Sequence, residues 1–195
     1  STLMLAGIRE INIIVKPEFL KSFVKLLGDG KKWGLNITFT EQECPNGIVE
    51  GISLSERFIN GAPIALILGD NLFHGSSLMK HLESVNLRKK GATIFAYRVK
   101  NPKRYGVLGF DKKGKVTDIV EKPIFPKSNY AVTGLYFYDE TVIEKAKKVD
   151  KSPNGEFEIT SLNQIYLKES NLIFIVMRRR SKEVERSCCS RMGAK

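Results

Sequence analysis

The sequence predicts an α/β protein, built on a mainly parallel sheet that is flanked by helices and extended by an antiparallel hairpin. Short apolar runs, rich in β-branched residues, alternate with segments that place apolar residues at helical spacing. The run Ile64–Leu68 is apolar at every position, which is typical of a strand covered by helices on both faces. After residue 105 the alternation stops and two strand-like runs flank the turn DKKGK, which indicates the hairpin.

The first half of the chain alternates strands and helices. Ile11–Val15 is a β-branched run that predicts a strand. Pro17 suits the first position of a helix, and Gly28 and Gly30 suit its end. The apolar face of this helix consists of Phe19, Leu20, Phe23, Val24 and Leu27. Apolar patterning then predicts a strand over Ile37–Thr40, a helix over Gly47–Ile59, the strand Ile64–Leu68, a helix over Ser77–Lys89 and a strand over Ala92–Val99.

The second half begins with the hairpin and continues with a long aromatic strand. Val107–Asp111 and Val116–Glu121 are the predicted hairpin strands, and Tyr130–Tyr138 is the aromatic one. Helical spacing predicts helices over Thr141–Lys148 and Glu158–Lys168, and the apolar run Leu172–Met177 predicts a last strand. The composition changes after Met177, so we expect one domain over residues 1–177 and a separate segment over residues 178–195.

Composition and charge exclude several classes of protein. A chain of 195 residues with no run of 18 apolar residues predicts one domain without a transmembrane helix. Three cysteines fit no zinc spacing, so a cytoplasmic location is the simplest interpretation. Residues 178–195 hold seven Lys or Arg and two Glu, nearly half of the net charge of +11. A solvated, disordered basic tail is therefore favoured over a nucleic-acid-binding protein.

The stretch LILGDNLFHG places a carboxylate at the end of the predicted strand Ile64–Leu68. Ligands of open parallel α/β sheets bind at the carboxyl ends of the strands, and Gly69 lets the backbone approach closely. Asp70 is therefore a candidate ligand of Mg²⁺, which prefers oxygen donors and shares them with substrate phosphates. The alternative is that Asp70 or Asn71 only caps a turn.

Two further groups of polar residues follow predicted strands. Gln42 and Gly47 bracket the loop QECPNG, and the Gln42 amide could contact a base edge because it offers both a donor and an acceptor. Glu121 and Lys122 end a hairpin strand just before Pro123. A glutamate can accept hydrogen bonds from sugar hydroxyls and a lysine can bind phosphate. The residues alone favour the alternative, which is an exposed ion pair at a strand end.

Several stretches of the chain closely resemble one enzyme family. They are LMLAGIREI, LLGDGKKWGLNI, LGDNLFHG, GATIFAYRVKNPKRYGVLGFDKKGKV, EKPIFPKSNYAVTGLYFYD and NGEFEIT. They resemble the glucose-1-phosphate thymidylyltransferases, a branch of the sugar-phosphate nucleotidylyltransferases, over residues 1 to about 177. The resemblance implies a Rossmann-like nucleotidyltransferase sheet. It also implies Mg²⁺-dependent transfer of a thymidylyl group from dTTP to glucose 1-phosphate, which gives dTDP-glucose and pyrophosphate for polysaccharide precursors.

The resemblance also implies roles for individual residues. Asp70 matches a metal-binding aspartate of the family's LGDN motif, and Gln42 and Gly47 match positions that recognise thymine. The positions around the hexose and its phosphate are matched by Asn71, Gly106, Glu121, Lys122, Val132 and Tyr136. On this basis Glu121 binds sugar hydroxyls and Lys122 binds phosphate. The family also implies a homo-oligomer, with no membrane partner.

Two departures from the family pattern bear on activity. The family opens with a GGxGTRLxPxT loop and a following lysine, and this chain begins after both, so the first strand and the glycine-rich loop are missing. A second metal carboxylate lies in a WLDTG stretch, where this chain has RRRSKEVERSCC, as a shifted reading frame would produce. We therefore expect no measurable dTDP-glucose synthesis by the 195-residue chain alone. The alternative function is a non-catalytic homologue that binds sugar nucleotides or oligomerises.

Overall fold

The computed structural model describes residues 2–74, 78–86 and 90–177. The predicted basic tail at residues 178–195 and both ends of the predicted helix Ser77–Lys89 lie outside the described residues. The strands within them are β1 (Glu10–Val15), β2 (Asn36–Glu41), β3 (Ile64–Ile67), β4 (Ala92–Arg98), β5 (Gly106–Phe110), β6 (Val116–Glu121), β7 (Tyr130–Tyr138) and β8 (Leu172–Val176). The α-helices are α1 (Thr2–Leu5), α2 (Pro17–Leu27), α3 (Ile48–Leu54), α4 (Glu56–Ile59), α5 (Leu78–Asn86), α6 (Val142–Ala146) and α7 (Ile159–Lys168).

The predicted α/β class is confirmed, and the strands form two sheets. The smaller sheet pairs β1 and β2 in parallel. The larger sheet has the order β6-β5-β7-β4-β8, and β3 also pairs with β7. The antiparallel hairpin is present as β5 and β6.

The predicted predominance of parallel pairing does not extend to the larger sheet. There, β4 and β8 pair in parallel, whereas β7 pairs antiparallel with β3, β4 and β5. The reason is that the long strand β7 follows the hairpin and returns through the middle of the sheet, against the direction of its neighbours. The uniform apolar character of the run Ile64–Leu68 also predicted full burial, but every residue of β3 is partly exposed.

The predicted helix over Gly47–Ile59 is two helices, because the chain breaks at Ser55. The Ser55 hydroxyl donates to the carbonyl oxygen of Gly51 at 2.8 Å and accepts from the Asn12 amide of β1 at 2.9 Å. A serine that bonds to its own preceding turn competes with regular helical bonding. The break therefore ties α3 to the smaller sheet.

Two apolar clusters cover the two faces of the larger sheet. Side chains alternate along β7, so Tyr136 and Tyr138 enter the cluster that also contains Ile52, while Leu135 enters the cluster that contains Leu82. The predicted apolar face of α2 forms, but no residue of this helix is fully buried. None of the helices in the described residues is long and apolar enough to cross a membrane.

Candidate functional site

Two strands share one edge of β7 and leave a gap between their ends, which the turn after β3 partly fills. β3 ends beside Leu135 and β5 begins near Ala131, while β4 runs along the opposite edge. Between the ends of β3 and β5 lie Val132 and Gly134, which share a face with Tyr136. The chain leaves β3 and enters β5 at this gap, so the side chains at those strand ends converge on it. We call this region the β7 site; its residues are Asp70, Asn71, Gly106, Glu121, Val132 and Tyr136.

Asn71 joins the end of β3 to the middle of β7. Its Nδ2 donates to Asp70 Oδ1 at 2.7 Å, and its Oδ1 accepts from the backbone N–H of Gly134 at 3.1 Å. The Asn71 N–H donates to the Leu68 carbonyl at 3.1 Å and closes the turn. A Cβ on Gly134 would lie 2.8 Å from both Asn71 Nδ2 and Leu68 Cβ, so only glycine fits there. Asn71 thus holds the turn and orients Asp70.

Asp70 is exposed, and Asn71 is bonded to one of its two carboxylate oxygens. Within the described ranges, no group of three or more His, Cys, Asp and Glu residues could hold a metal ion. Mg²⁺ commonly uses only one or two carboxylates and completes its shell with water and substrate phosphates. An exposed carboxylate beside an amide therefore fits a cation that arrives with a phosphate, and does not fit a cation held by protein alone.

Glu121 lies opposite the start of β5 and is held from the other side by α7. Its Oε2 accepts a hydrogen bond from Thr160 Oγ1 at 2.5 Å. Gly106 pairs with Glu121 across the hairpin, and a Cβ there would lie 3.0 Å from Thr160 Oγ1 and 3.3 Å from Glu121 Oε2. The same Cβ would lie 4.0 Å from Val132 Cβ, so Gly106, Glu121 and Val132 lie side by side.

Thr160 is a site residue that the sequence reasoning missed. It is buried in the first turn of α7, and it comes from the matched stretch NGEFEIT, in which no residue was given a role. In the sequence, Thr160 is distinguished only as a polar residue within a predicted helix. The structure shows that this helix packs on β6. Thr160 positions Glu121, whose other oxygen is left for a ligand.

Lys122 sits at the rim of the site in an unusual backbone conformation. Its φ is +41°, which a non-glycine residue adopts at a cost, and its N–H donates to the Tyr105 carbonyl at 3.0 Å. Its Nζ lies 3.9 Å from Glu121 Oε1, and more than half of the side chain is exposed. The predicted ion pair is therefore present but loose, and such exposed pairs contribute little to stability. The ammonium group is available to an incoming anion.

Tyr136 forms the floor of the β7 site. It is buried and stacks on Tyr138, with ring centroids 6.1 Å apart and planes 8° from parallel. Burial raises the pKa of its hydroxyl well above the usual range, and the negative charges of Glu121 and Asp70 raise it further. The β7 site thus combines two carboxylates with a buried tyrosine whose hydroxyl is disfavoured from ionising.

Gln42 and Gly47 lie on a separate loop, residues 42–47, which we call the Gln42 loop. Gln42 follows β2, and its backbone N–H donates to the Val15 carbonyl at 2.9 Å. Gly47 has φ +108°, and a Cβ on it would overlap the backbone of Phe157. The Phe157 N–H donates to the Asn46 carbonyl at 2.7 Å. The loop is thus held against the segment that leads into α7.

The structure therefore brings six of the nine predicted site residues together around β7, with Lys122 at the rim. Gln42 and Gly47 form a second group, linked to the first through Phe157 and Thr160 on one short segment of chain. The predicted turn at Asp70 and Asn71 and the predicted ion pair at Glu121 and Lys122 are both present. Neither excludes ligand binding, since each leaves a charged group open to solvent.

Residues 1–182 match the nucleotidyl transferase family. A glucose-1-phosphate thymidylyltransferase of Xanthomonas campestris pv. campestris is 50% identical over 172 residues, which cover 88% of this chain and 58% of that protein. A protein of the same name from Mycobacterium tuberculosis is 44% identical over 182 residues, which cover 92% of this chain and 62% of that protein. The chain thus spans about three-fifths of the length of these curated relatives.

Solved structures agree with this assignment. A Bacillus anthracis structure, described as a glucose-1-phosphate thymidylyltransferase in complex with a sucrose, superimposes with a TM-score of 0.82 at 36% identity. The match covers 91% of this chain and 71% of that one. A UDP-glucose pyrophosphorylase solved with UDP-glucose shares the fold, with a TM-score of 0.75 at 21% identity over 91% of this chain and 76% of that one. This chain belongs to the nucleotidyl transferase family.

Proposed function

We propose that this chain carries part of the machinery that transfers a thymidylyl group from dTTP to glucose 1-phosphate, which gives dTDP-glucose and pyrophosphate, and that the 195 residues alone bind the sugar phosphate without turnover. The names of relatives at 44% to 50% identity support this activity. The observation that carries the proposal is the arrangement around β7. Two carboxylates, a buried tyrosine hydroxyl and an exposed lysine surround one open stretch of strand. Such a site suits a sugar phosphate whose hydroxyl groups bind to the carboxylates and whose phosphate group binds to the lysine.

In the proposed reaction a phosphate oxygen of glucose 1-phosphate attacks the α-phosphorus of dTTP and pyrophosphate leaves. Glu121 accepts hydrogen bonds from sugar hydroxyls through the oxygen that Thr160 does not use. Lys122 follows Glu121 directly in the chain, and its exposed ammonium group meets the sugar phosphate. Val132 and Tyr136 form the surface beneath the ring.

The same proposal assigns Asp70 as the residue that holds Mg²⁺ and Asn71 as the residue that orients Asp70. When bound, Mg²⁺ would neutralise charge on the phosphates during transfer. Gln42 and Gly47 would bind the thymine base.

The finer properties implied by the family belong to this proposal as well. They are a role in polysaccharide precursor synthesis, self-association into a homo-oligomer and a cytoplasmic location. Cys44 is an exposed thiol that forms no disulfide with any described residue. Sedimentation velocity of the purified chain tests the self-association.

Titration calorimetry of the chain with glucose 1-phosphate tests the sugar side of the proposal. We expect Glu121→Gln to weaken binding about tenfold, because a charged acceptor contributes roughly 1.5–3 kcal/mol to hydrogen bonding. Glu140→Gln is the matched control, because this exposed residue lies beyond the far end of β7. Equal affinities of both variants and the unmodified chain would contradict the role of Glu121.

Release of pyrophosphate from dTTP is assayed in the same samples. Turnover that depends on glucose 1-phosphate and survives repurification would overturn the expectation that the 195-residue chain alone is inactive. It would also demonstrate the proposed transfer directly.

A further inference from the structure

The segment that begins at Lys122 folds back over the hairpin, on the face opposite the β7 site. It consists of residues 122–129, and we call it the Lys122 loop. Side chains alternate along β6, so Asp118 lies on the face that Glu121 does not share. Lys127 Nζ lies 2.6 Å from Asp118 Oδ2, which attaches the loop to that face. At about 3.3 Å per residue, Asp118 is roughly 10 Å from Glu121 along the strand, so it does not contact a ligand of the site.

Gly109 in β5 makes room for this attachment. It pairs with Asp118 across the hairpin, and a Cβ on Gly109 would overlap Asp118 Oδ1. The aspartate side chain therefore lies across the neighbouring strand at a position where only glycine fits. The Asp118 side chain is 29% exposed and that of Lys127 is 67% exposed. Solvent and salt screen a partly buried pair less than an exposed one, so this ion pair holds the loop more firmly than a surface pair would.

Polar contacts, and not apolar burial, hold the Lys122 loop in place. Ile124 and Phe125 at its tip are 74% and 88% exposed, so burial of their side chains contributes little to its position. Near its end, Ser128 Oγ donates to the Leu108 carbonyl at 2.5 Å. The ion pair and this hydrogen bond thus attach the second half of the loop to the hairpin.

The first residue of the loop has a backbone conformation that needs such support. Lys122 has φ +41°, whereas a residue before proline prefers φ near about −120°. Its N–H donates to the Tyr105 carbonyl at 3.0 Å, which holds it from one side. On the other side, Pro123 and Pro126 each have a fixed φ, so the segment between Lys122 and Lys127 is stiff. The position of Lys127 therefore restricts that of Lys122.

We propose that Asp118 and Lys127 are positioning residues, which hold Lys122 in the conformation that binds the phosphate group of a sugar phosphate. Without the ion pair, Lys122 would relax toward the φ that a residue before proline prefers, and its ammonium group would move away from Glu121. The proposal rests on the proposed function, because it takes Lys122 as the phosphate-binding residue. Neither Asp118 nor Lys127 touches the ligand.

Asp118→Ala tests the proposal through two titrations. Titration calorimetry with glucose 1-phosphate measures binding of the whole ligand, and titration with methyl glucoside measures binding of the sugar without a phosphate. We expect the ratio of the two affinities to fall about fivefold, while the affinity for methyl glucoside stays unchanged. An equal fall in both affinities would show that Asp118 supports the hairpin as a whole, and would overturn its role in positioning Lys122.

Lys127→Ala is a second test, because it removes the same ion pair at a more exposed residue. We expect it to lower the affinity ratio by the same factor. The double variant, with alanine at both positions, should lower the ratio no further, since the two residues act through one contact. Effects that multiply in the double variant would show that the residues act separately, and would overturn the proposal.

Glu56→Ala is the matched control for these variants. It removes an ion pair of similar length, in which Lys147 Nζ lies 2.7 Å from Glu56 Oε1. The two residues of this pair lie in α4 and just after α6, outside the hairpin and the Lys122 loop. We expect the affinity ratio to stay unchanged. Circular dichroism confirms that the variants are folded.

Amide hydrogen exchange, followed by NMR, reports on Lys122 without any ligand. The Lys122 N–H is protected by its hydrogen bond to the Tyr105 carbonyl, so release of the loop exposes it to solvent. We expect this amide to exchange several-fold faster in Asp118→Ala than in Glu56→Ala. Equal exchange rates in the two variants would overturn the proposal.

The outcomes separate this proposal from the proposed function. Unmodified chain that does not bind glucose 1-phosphate would overturn the proposed function and the positioning role with it. Affinity for glucose 1-phosphate that is the same in Asp118→Ala, Lys127→Ala and the unmodified chain would overturn the positioning role alone.

Discussion

The larger sheet and the layer formed by β1, β2 and α2 are packed to very different degrees. In the larger sheet Leu82 and Leu135 have no exposed surface, and apolar clusters cover both faces. In the smaller layer α2 has no fully buried residue, and Leu26 is 66% exposed. Because apolar burial is the main source of folding free energy, the larger sheet supplies most of the stability. The β7 site lies on this sheet, whereas Gln42 leads out of the smaller layer.

Truncation of a leucine in each region gives the largest expected contrast. We expect Leu135→Ala to lower the free energy of unfolding by about 3–4 kcal/mol, because it leaves a cavity in a fully buried cluster. Leu26→Ala in α2 should change it by less than about 0.5 kcal/mol. Urea denaturation monitored by circular dichroism measures both. A loss of similar size in the two variants would show that α2 is covered in solution.

A glycine in each region tests the same comparison. An added Cβ would meet a close contact at Gly134 and an unfavourable backbone conformation at Gly34. We expect Gly134→Ala to lower the free energy of unfolding by about 2 kcal/mol and to displace Asn71, because the new Cβ would lie 2.8 Å from Asn71 Nδ2. Gly34→Ala, between α2 and β2, should cost about 1 kcal/mol, because φ is +68° but nothing lies within 4 Å. Thermal unfolding ranks the two variants, and the reverse order would contradict the close approach at Gly134.

Two threonines compare a hydrogen bond at the β7 site with one on the smaller sheet. We expect Thr160→Val to cost about 1 kcal/mol and to weaken glucose 1-phosphate binding several-fold, because Glu121 loses the donor that positions it. Thr38→Val removes an exposed bond of 3.1 Å to Asn12 and should cost less than about 0.5 kcal/mol. Titration calorimetry with glucose 1-phosphate measures the affinity of both variants. Equal affinities of Thr160→Val and Thr38→Val would refute the role of Thr160.

The smallest expected effect concerns acid stability. Burial tends to raise the pKa of Asp139, but hydrogen bonds from Thr141, Gly91 and Tyr166 more than offset this and hold the pKa below its usual value of 3.8. A carboxyl whose pKa is lower in the folded state stabilises the fold above its unfolded pKa and loses that effect as the pH falls through the folded pKa. Asp139→Asn should therefore flatten the decline of stability below about pH 4.

Asp29 provides the comparison from the smaller layer. Its pKa is also lowered, first by a hydrogen bond from the Lys31 backbone and then by the Lys31 side chain, but it is fully exposed. We expect Asp29→Asn to leave the pH dependence of unfolding nearly unchanged, since solvent and salt screen exposed charges. Denaturation midpoints from pH 2 to pH 6 compare the two variants, and an equal flattening would contradict the difference in environment.

Much of the secondary structure could be predicted because local signals agreed with the final packing. Pro17 and Gly28 bound α2 as expected, and the aromatic run Tyr130–Tyr138 is β7 over its whole predicted length. The prediction was wrong where a long-range contact decided the outcome. Asn12 bonds to Ser55 and interrupts the helix predicted over Gly47–Ile59, and no periodicity within that segment contains this information.

The candidate site was predictable only in part for the same reason. Motif resemblance placed Asp70, Glu121 and Lys122 in one site, and their strand-end positions are consistent with it. Thr160 escaped notice because its role depends on a contact across the fold, with Glu121. A threonine in an amphipathic helix is an ordinary residue until its partner is known.

The sequence by itself determined the α/β class, the order of the elements and the family, since these depend on local apolar patterns and on motifs that stay contiguous in the chain. Tertiary structure decided the direction of β7 among its neighbours, the gap between β3 and β5 and the position of Thr160 beside Glu121. Each of these arises from hydrogen bonds between residues far apart in the chain or on different elements. Such bonds form only where packing of the whole sheet brings donor and acceptor within about 3 Å of each other.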